Sequence, residues 1–288
     1  MRRVIVTRPL LVNTASAASA TGALSAASDS WLHSLQARGL DAVALPLLAI
    51  APLADTHGLV QAWQALPRYQ AVMFVSASAV AHFFAAQTAD QPAAAHFNPQ
   101  AWVTGPGSRA ALLQAGVPAS QIRAPDLQAA QFDSEALWQQ VGAGVQAGQQ
   151  FLIVRGVVGG ADDASPLAGR NWLAQQVTAA GGLVTQVAAY QRSAPLWSAA
   201  QCALAQAAAS DGSVWLLSSS EATAHLAHLL PQQSWQQALA VATHERIAQA
   251  AHALGFAQVR VARPLLADVV AQVNAFHGMP GCEAQPRA

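Results

Sequence analysis

Tyr190 and a set of small, hydroxylated turns are the residues whose types and spacing could do chemistry. The chain has two tyrosines, Tyr69 and Tyr190. Tyr69 stands just before an apolar run and reads as packing at a core edge. Tyr190 lies in the extended segment Val187 to Gln191, between two α/β series. A phenol there has a proton to donate at neutral pH, so it reads equally as a general acid or as packing. Arg8 and Arg155 directly follow short apolar runs, Val4-Ile5-Val6 and Leu152-Ile153-Val154. A guanidinium at the carboxyl end of a parallel strand either meets a ligand or closes a salt bridge at the sheet edge.

Four turns join a strand to a helix: Ser76 to Ser78, Thr104 to Ser108 with Gly105, Ser218 to Ser220 with Ser219, and Thr243 to Arg246. Free backbone N–H groups and the helix dipole make such turns receptive to anions. Each also reads as a plain N-cap. The candidate ligand contacts are therefore Arg8, Ser76, Ser78, Gly105, Ser108, Arg155, Ser218, Ser219, Thr243 and Arg246, with Tyr190 as the candidate acid.

Other chemistries are excluded or unsupported. There is no lysine, which removes a lysine Schiff base, a pyridoxal-phosphate anchor and a P-loop. Gly105-Pro106-Gly107 lacks the third glycine and the acidic partner of a dinucleotide fingerprint. His225 and His228 share a helix face without a carboxylate or third ligand, so no metal is expected. Cys202 and Cys282 match no metal or redox spacing, and a reducing cytoplasm fits them. No organic cofactor is expected either. Formal net charge is zero, so no nucleic-acid or membrane partner is drawn by charge. The longest apolar stretch, Ala42 to Ala54, contains Pro46 and Pro52 and is too short to span a bilayer.

These residues need elements to hold them. The chain has 288 residues, which favours two domains, and its charged fraction of 10% leaves the surface to Gln, Ser, Thr and Ala. Short apolar runs near residues 4, 71, 101, 151, 214, 239 and 259 alternate with helical patterns. That alternation gives an α/β fold with parallel sheets and helices on both faces. Val72-Met73-Phe74-Val75-Ser76-Ala77-Ser78 echoes Val214-Trp215-Leu216-Leu217-Ser218-Ser219-Ser220, and the same succession follows each block, so the plan is duplicated. We expect two flavodoxin-like lobes across a cleft, the second inserted in the first. Residues 1–42 with 196–288 form one lobe, 56–184 the inserted lobe, and 43–55 with 185–195 a two-stranded linker ribbon. Arg155-Gly156 is expected in the turn after its strand. Residues 13–29 read as a low-complexity loop.

In order and spacing, the chain resembles the uroporphyrinogen-III synthase family. The resemblance rests on Val4-Ile5-Val6-Thr7-Arg8-Pro9, Leu45-Pro46-Leu47-Leu48-Ala49-Ile50, Phe74-Val75-Ser76-Ala77-Ser78-Ala79-Val80 and Gly105-Pro106-Gly107-Ser108. It continues through Phe132-Asp133-Ser134-Glu135-Ala136-Leu137, Leu152-Ile153-Val154-Arg155-Gly156, Tyr190-Gln191-Arg192 and His244-Glu245-Arg246-Ile247-Ala248. It implies a cofactor-free cyclising hydro-lyase of tetrapyrrole (haem) biosynthesis. The substrate would be hydroxymethylbilane, closed with inversion of ring D and loss of water. Tyr190 matches the family tyrosine proposed to help the hydroxyl leave. The resemblance also allows transient contact with hydroxymethylbilane synthase, and a monomer is expected. Ser78 stands where the family often has asparagine. Gly159 to Leu167 separates Arg155-Gly156 from Gly169-Arg170 as an insertion. The rival readings are a two-lobed small-anion-binding protein without catalysis, an inactive relative, and a nucleotide-dependent transferase.

Overall fold

The structure is a computed structural model describing residues 2–11, 31–87, 97–159 and 171–277. The 13–29 stretch, most of the Gly159 to Leu167 insertion, Gly169, Arg170 and Cys282 lie outside the described residues. The backbone divides into two compact units, Met1–Arg8 with Trp31–Leu47 and Leu196–Ala288, and Pro9–Ser30 with Leu48–Pro195.

Among the described residues the first unit holds five strands: β1 (Arg3–Val6), β3 (Asp41–Ala44), β10 (Val214–Leu217), β11 (Leu239–Ala242) and β12 (Gln258–Val261). Their order is β12-β11-β10-β1-β3 and every pairing is parallel. In chain order this is the 2-1-3-4-5 arrangement of flavodoxin-like sheets. Consecutive side chains of β1 and β10 serve opposite faces. Val4, Val6, Val214 and Leu216 pack with Leu35 of α1 (residues 31–36) and with Val269, Val273 and Phe276 of α10 (Leu266–His277). Trp215 turns the other way, edge-on to Trp235 and Phe256, and its indole N–H donates to the Ala208 carbonyl at 3.0 Å. That bond satisfies the one polar atom of a fully buried ring.

The second unit contains β2 (Leu10–Leu11), β4 (Ala49–Pro52), β5 (Tyr69–Phe74), β6 (Gln100–Val103), β7 (Ile122–Arg123), β8 (Gln150–Val158) and β9 (Leu183–Ser193). Their order is β2-β4-β9-β8-β5-β6-β7. The five strands β9-β8-β5-β6-β7 are parallel, and β4 runs antiparallel to β9. In space β7-β6-β5-β8-β9 repeats β12-β11-β10-β1-β3. The chain simply enters the two arrangements at different strands, so one is a circular permutation of the other. The echoing blocks of the sequence are β5 and β10, each the middle strand of its five. One face of the second sheet packs Met73, Trp102, Phe151 and Ile153 against Leu137 and Val141 of α5 (Ser134–Val141) and Leu173 and Val177 of α6 (Trp172–Ala179). On the other, Phe74 meets Phe83 of α3 (Ala77–Ala85), with ring centroids 5.4 Å apart.

Three segments differ from the sequence expectations. Val43 to Ile50 is not one extended crossing, because Val43 and Ala44 close β3 whereas Ala49 and Ile50 open β4. Residues 185–193 pair with β4 but also hydrogen-bond to β8 as far as Arg192, so they belong to the sheet as well as to a ribbon. Arg155 and Gly156 are not in a turn, since β8 continues through both to Val158.

Candidate active site

In the second unit Ser76, His82 and Gly156 lie against Tyr190. Between Arg155 and Gly156 the β8–β9 register shifts: Arg155 faces Ala188, Gly156 faces Tyr190, and Ala189 is the extra residue. A bulge of this kind re-aims the side chains that follow it. It leaves Ala189 and Tyr190 both buried, although neighbours along a regular strand alternate between faces.

Two features make room for the phenol. A Cβ at position 156 would lie 2.7 Å from the Tyr190 ring, so only glycine lets the ring come this close. The second is α3, whose N-cap Ser76 accepts from the Ala79 N–H at 3.0 Å. The Ser76 hydroxyl also lies 3.0 Å from the Tyr190 hydroxyl. Either hydroxyl can donate across this contact, and with Oγ accepting from the helix Ser76 can give its own proton to Tyr190 Oη. The phenol proton is then released for another acceptor. The same contact sets the phenol oxygen beside the N-terminus of α3.

His82, also on α3, stacks on the Tyr190 ring with centroids 5.7 Å apart and planes 23° apart. Its Nε2 is buried and has no hydrogen-bond partner among the described residues. Burial lowers the imidazole to about 4, so the ring is neutral at physiological pH. An unfolded histidine titrates near 6.5. Between those values the unfolded chain binds more protons than the folded one, so stability present above pH 6.5 is lost as pH falls toward 4. From pH 7 to pH 5 the loss amounts to about 2 kcal/mol. Urea unfolding at both pH values should show the parent losing more stability than His82→Phe by that amount.

Arg155 is 1% exposed, and its Nη1 donates to Asn171 Oδ1 and Gln186 Oε1, each at 2.6 Å. Burial and then the Arg192 charge lower its guanidinium from the ordinary value, while Tyr190 acts in the opposite sense. Arg155 thus links the start of α6 to β9 from inside β8, and does not follow its strand as the sequence led us to expect. Ser78 is half-buried in the first turn of α3, Gly105 is the N-cap of α4 (Pro106–Gln114), and Ser108 is buried within that helix.

The remaining candidates belong to the first unit. Arg8 lies over the Trp31 ring at 4.0 Å. Its Nε is buried without a hydrogen-bond partner among the described residues, and burial lowers the guanidinium to about 10, which leaves it charged at neutral pH. Ser219 caps α8 (Ser220–Leu229) by accepting from the Ala222 N–H, with Ser218 half-buried before it. The Thr243 N–H donates to the Leu217 carbonyl. His244, not Thr243, is the N-cap of α9 (Glu245–Ala253), its ring accepting from the Arg246 N–H; Arg246 itself is exposed. His225 Nδ1 is 2.7 Å from the Leu47 carbonyl, so this ring nitrogen must donate.

Sequence reasoning missed His82, Asn171, Gln186 and His244. For His244 the signal was present, since it opens a helix as Ser76 does. Among the described residues no three His, Cys, Asp or Glu side chains could hold a metal ion, and no helix is long and apolar enough to cross a membrane.

Two α/β units with one spatial strand order, and a tyrosine seated on a capping serine beside a bulge, define a duplicated doubly wound protein. The sequence matches the family model described as uroporphyrinogen-III synthase HemD over residues 29–270. The chain belongs to the uroporphyrinogen-III synthase family, a family of enzymes. It is similar in fold to a mutant uroporphyrinogen III synthase from Thermus thermophilus, at 12% identity and a TM-score of 0.52, with 96% of this chain and 99% of that one covered. It is likewise similar to the uroporphyrinogen-III synthetase of Helicobacter pylori, at 10% identity and a TM-score of 0.53, with the same coverage of both chains. No curated protein sequence matches the chain.

Proposed function

We propose that this chain is a uroporphyrinogen-III synthase, a cyclising hydro-lyase acting on hydroxymethylbilane, with Tyr190 as its general acid. The observation that carries the role of Tyr190 is its 3.0 Å contact with Ser76, through which Ser76 can donate to the phenol oxygen and leave the phenol proton for the substrate. The bilane must lose the hydroxyl of its ring A hydroxymethyl group. Tyr190 donates to that oxygen as the C–O bond breaks, water departs, and an electrophilic azafulvene remains. Ring D attacks through its substituted carbon to give a spiro intermediate. Fragmentation and reclosure then leave ring D inverted. The last step releases a proton from ring D, and the Tyr190 phenolate can recover it, so the acid is restored.

Free bilane closes without inversion, so the enzyme has to control geometry more than reactivity. The substrate's carboxylates suit helix N-termini such as those at Ser76, Gly105 and Ser219, and a desolvated arginine such as Arg8. Arg8→Ala should raise KM about tenfold with kcat within about twofold, because a charged hydrogen bond contributes on the order of 1.5–3 kcal/mol to binding. Steady-state kinetics check this.

The deciding experiment mixes purified protein with freshly generated hydroxymethylbilane and separates the products by chromatography. Uroporphyrinogen III is expected. Accumulation of isomer I alone, at the uncatalysed rate, would leave a binding protein or an inactive relative.

A further inference from the structure

We propose that His82 is a positioning residue for Tyr190: its imidazole, stacked on the phenol ring, keeps the hydroxyl on Ser76 and its proton aimed at the leaving group. The assignment rests on reading Tyr190 as the acid. Three observations carry it. Both Ser76 and His82 belong to the α3 segment, so one element supplies the hydroxyl that meets the phenol oxygen and the ring that meets the phenol face. The ring already lies close over the Gly156 backbone at the bulge, so it is seated between backbone and a second wall. The imidazole is that wall.

The third observation is the choice of residue. His82 Nε2 is buried with no hydrogen-bond partner among the described residues, and leaving a polar atom so placed costs stability. An aliphatic side chain would avoid that cost but would not stack. A flat neutral ring holds the phenol in plane and puts no positive charge beside it. A long cation here would compete with Ser76 to donate to the phenol oxygen. His82 acts through Tyr190 and is given no proton to transfer.

The test uses the full chain and two readouts. Because the protein contains only Tyr69 and Tyr190, ring-carbon-labelled tyrosine gives two sets of NMR signals, assigned with Tyr190→Phe. In His82→Ala the Tyr190 signals should move as the ring current is lost, while those of Tyr69 stay and report an intact fold. In turnover, His82→Ala should lose about tenfold in kcat with KM within about twofold, and more of the product should be isomer I. His82→Phe, which keeps a flat ring without a proton to give, should recover to within about threefold of the parent, whereas His82→Gln should stay as slow as the alanine variant. The proposal is overturned if His82→Ala turns over like the parent, if Phe fails to rescue, or if Gln rescues and Phe does not, which would assign a hydrogen bond to the imidazole instead. Should the parent itself yield only isomer I, the functional reading falls. The NMR arm then still decides the positioning claim, and unmoved Tyr190 signals in His82→Ala would sink it.

Discussion

Tyr190→Phe should lower kcat by about a hundredfold, the usual scale for removing a general acid, while KM changes little. The product should shift toward isomer I, because bilane that is held but not activated is released to close by itself. The substitution removes one oxygen and leaves the ring against Gly156 and His82. Ser76 keeps its bond from the Ala79 N–H, so the helix cap survives. The lost hydroxyl contact is worth about 1 kcal/mol of stability. A large fall in kcat with a small change in urea midpoint therefore separates chemistry from folding. Ser76→Ala adds a second check. If Ser76 works through the phenol oxygen, Tyr190→Phe and the double variant should be equally slow, since residues acting as one unit are not additive. A Tyr190→Phe variant as fast as the parent would remove Tyr190 as the acid.

What was legible in the sequence was what is local. Ser76 and Ser219 read as helix caps because an N-cap is decided by three or four consecutive residues, and each accepts from the backbone N–H three positions on. The strands were legible as apolar runs, and the duplicated plan as the echo between Val72–Ser78 and Val214–Ser220. The resemblance singled out Tyr190. What was hidden depends on pairing across the sheet. Arg155 was read as the residue after a strand because the run Leu152-Ile153-Val154 ends in a charge. In fact the strand continues, and the charge is buried by two amides, Asn171 and Gln186, distant in sequence. Polarity marks the end of a strand only where the chain meets water. The Ala189 bulge shifts the register by one residue, and no alternation of apolar and polar side chains announces it. His82 was invisible for the same reason: its partner is a ring on another element, 108 positions away by residue number.

Gly156 shows the difference most sharply, and Gly156→Ala should be damaging out of proportion to its size. Its φ is not in the left-handed region, so any residue could adopt its backbone conformation. The constraint is space. A methyl group would sit 2.7 Å from Cε2 and 2.8 Å from Cζ of Tyr190, well inside van der Waals contact. The atoms in the way belong to a rigid ring, which is 2% exposed, hydrogen-bonded to Ser76 and stacked on His82. It can yield only by tilting as a body, which swings the hydroxyl off Ser76. Overpacking of this kind costs about 1–3 kcal/mol. A displacement near 1 Å of a reacting group is enough to cost about a hundredfold in rate. Gly156→Ala should therefore approach Tyr190→Phe in kcat while being the less stable of the two. The Gly156→Ala/Tyr190→Phe double variant should be no slower than Tyr190→Phe alone, because the methyl group acts only through where the phenol oxygen sits. An alanine at 156 that left kcat within about twofold of the parent would mean that the ring has slack, and that glycine is not what seats the acid.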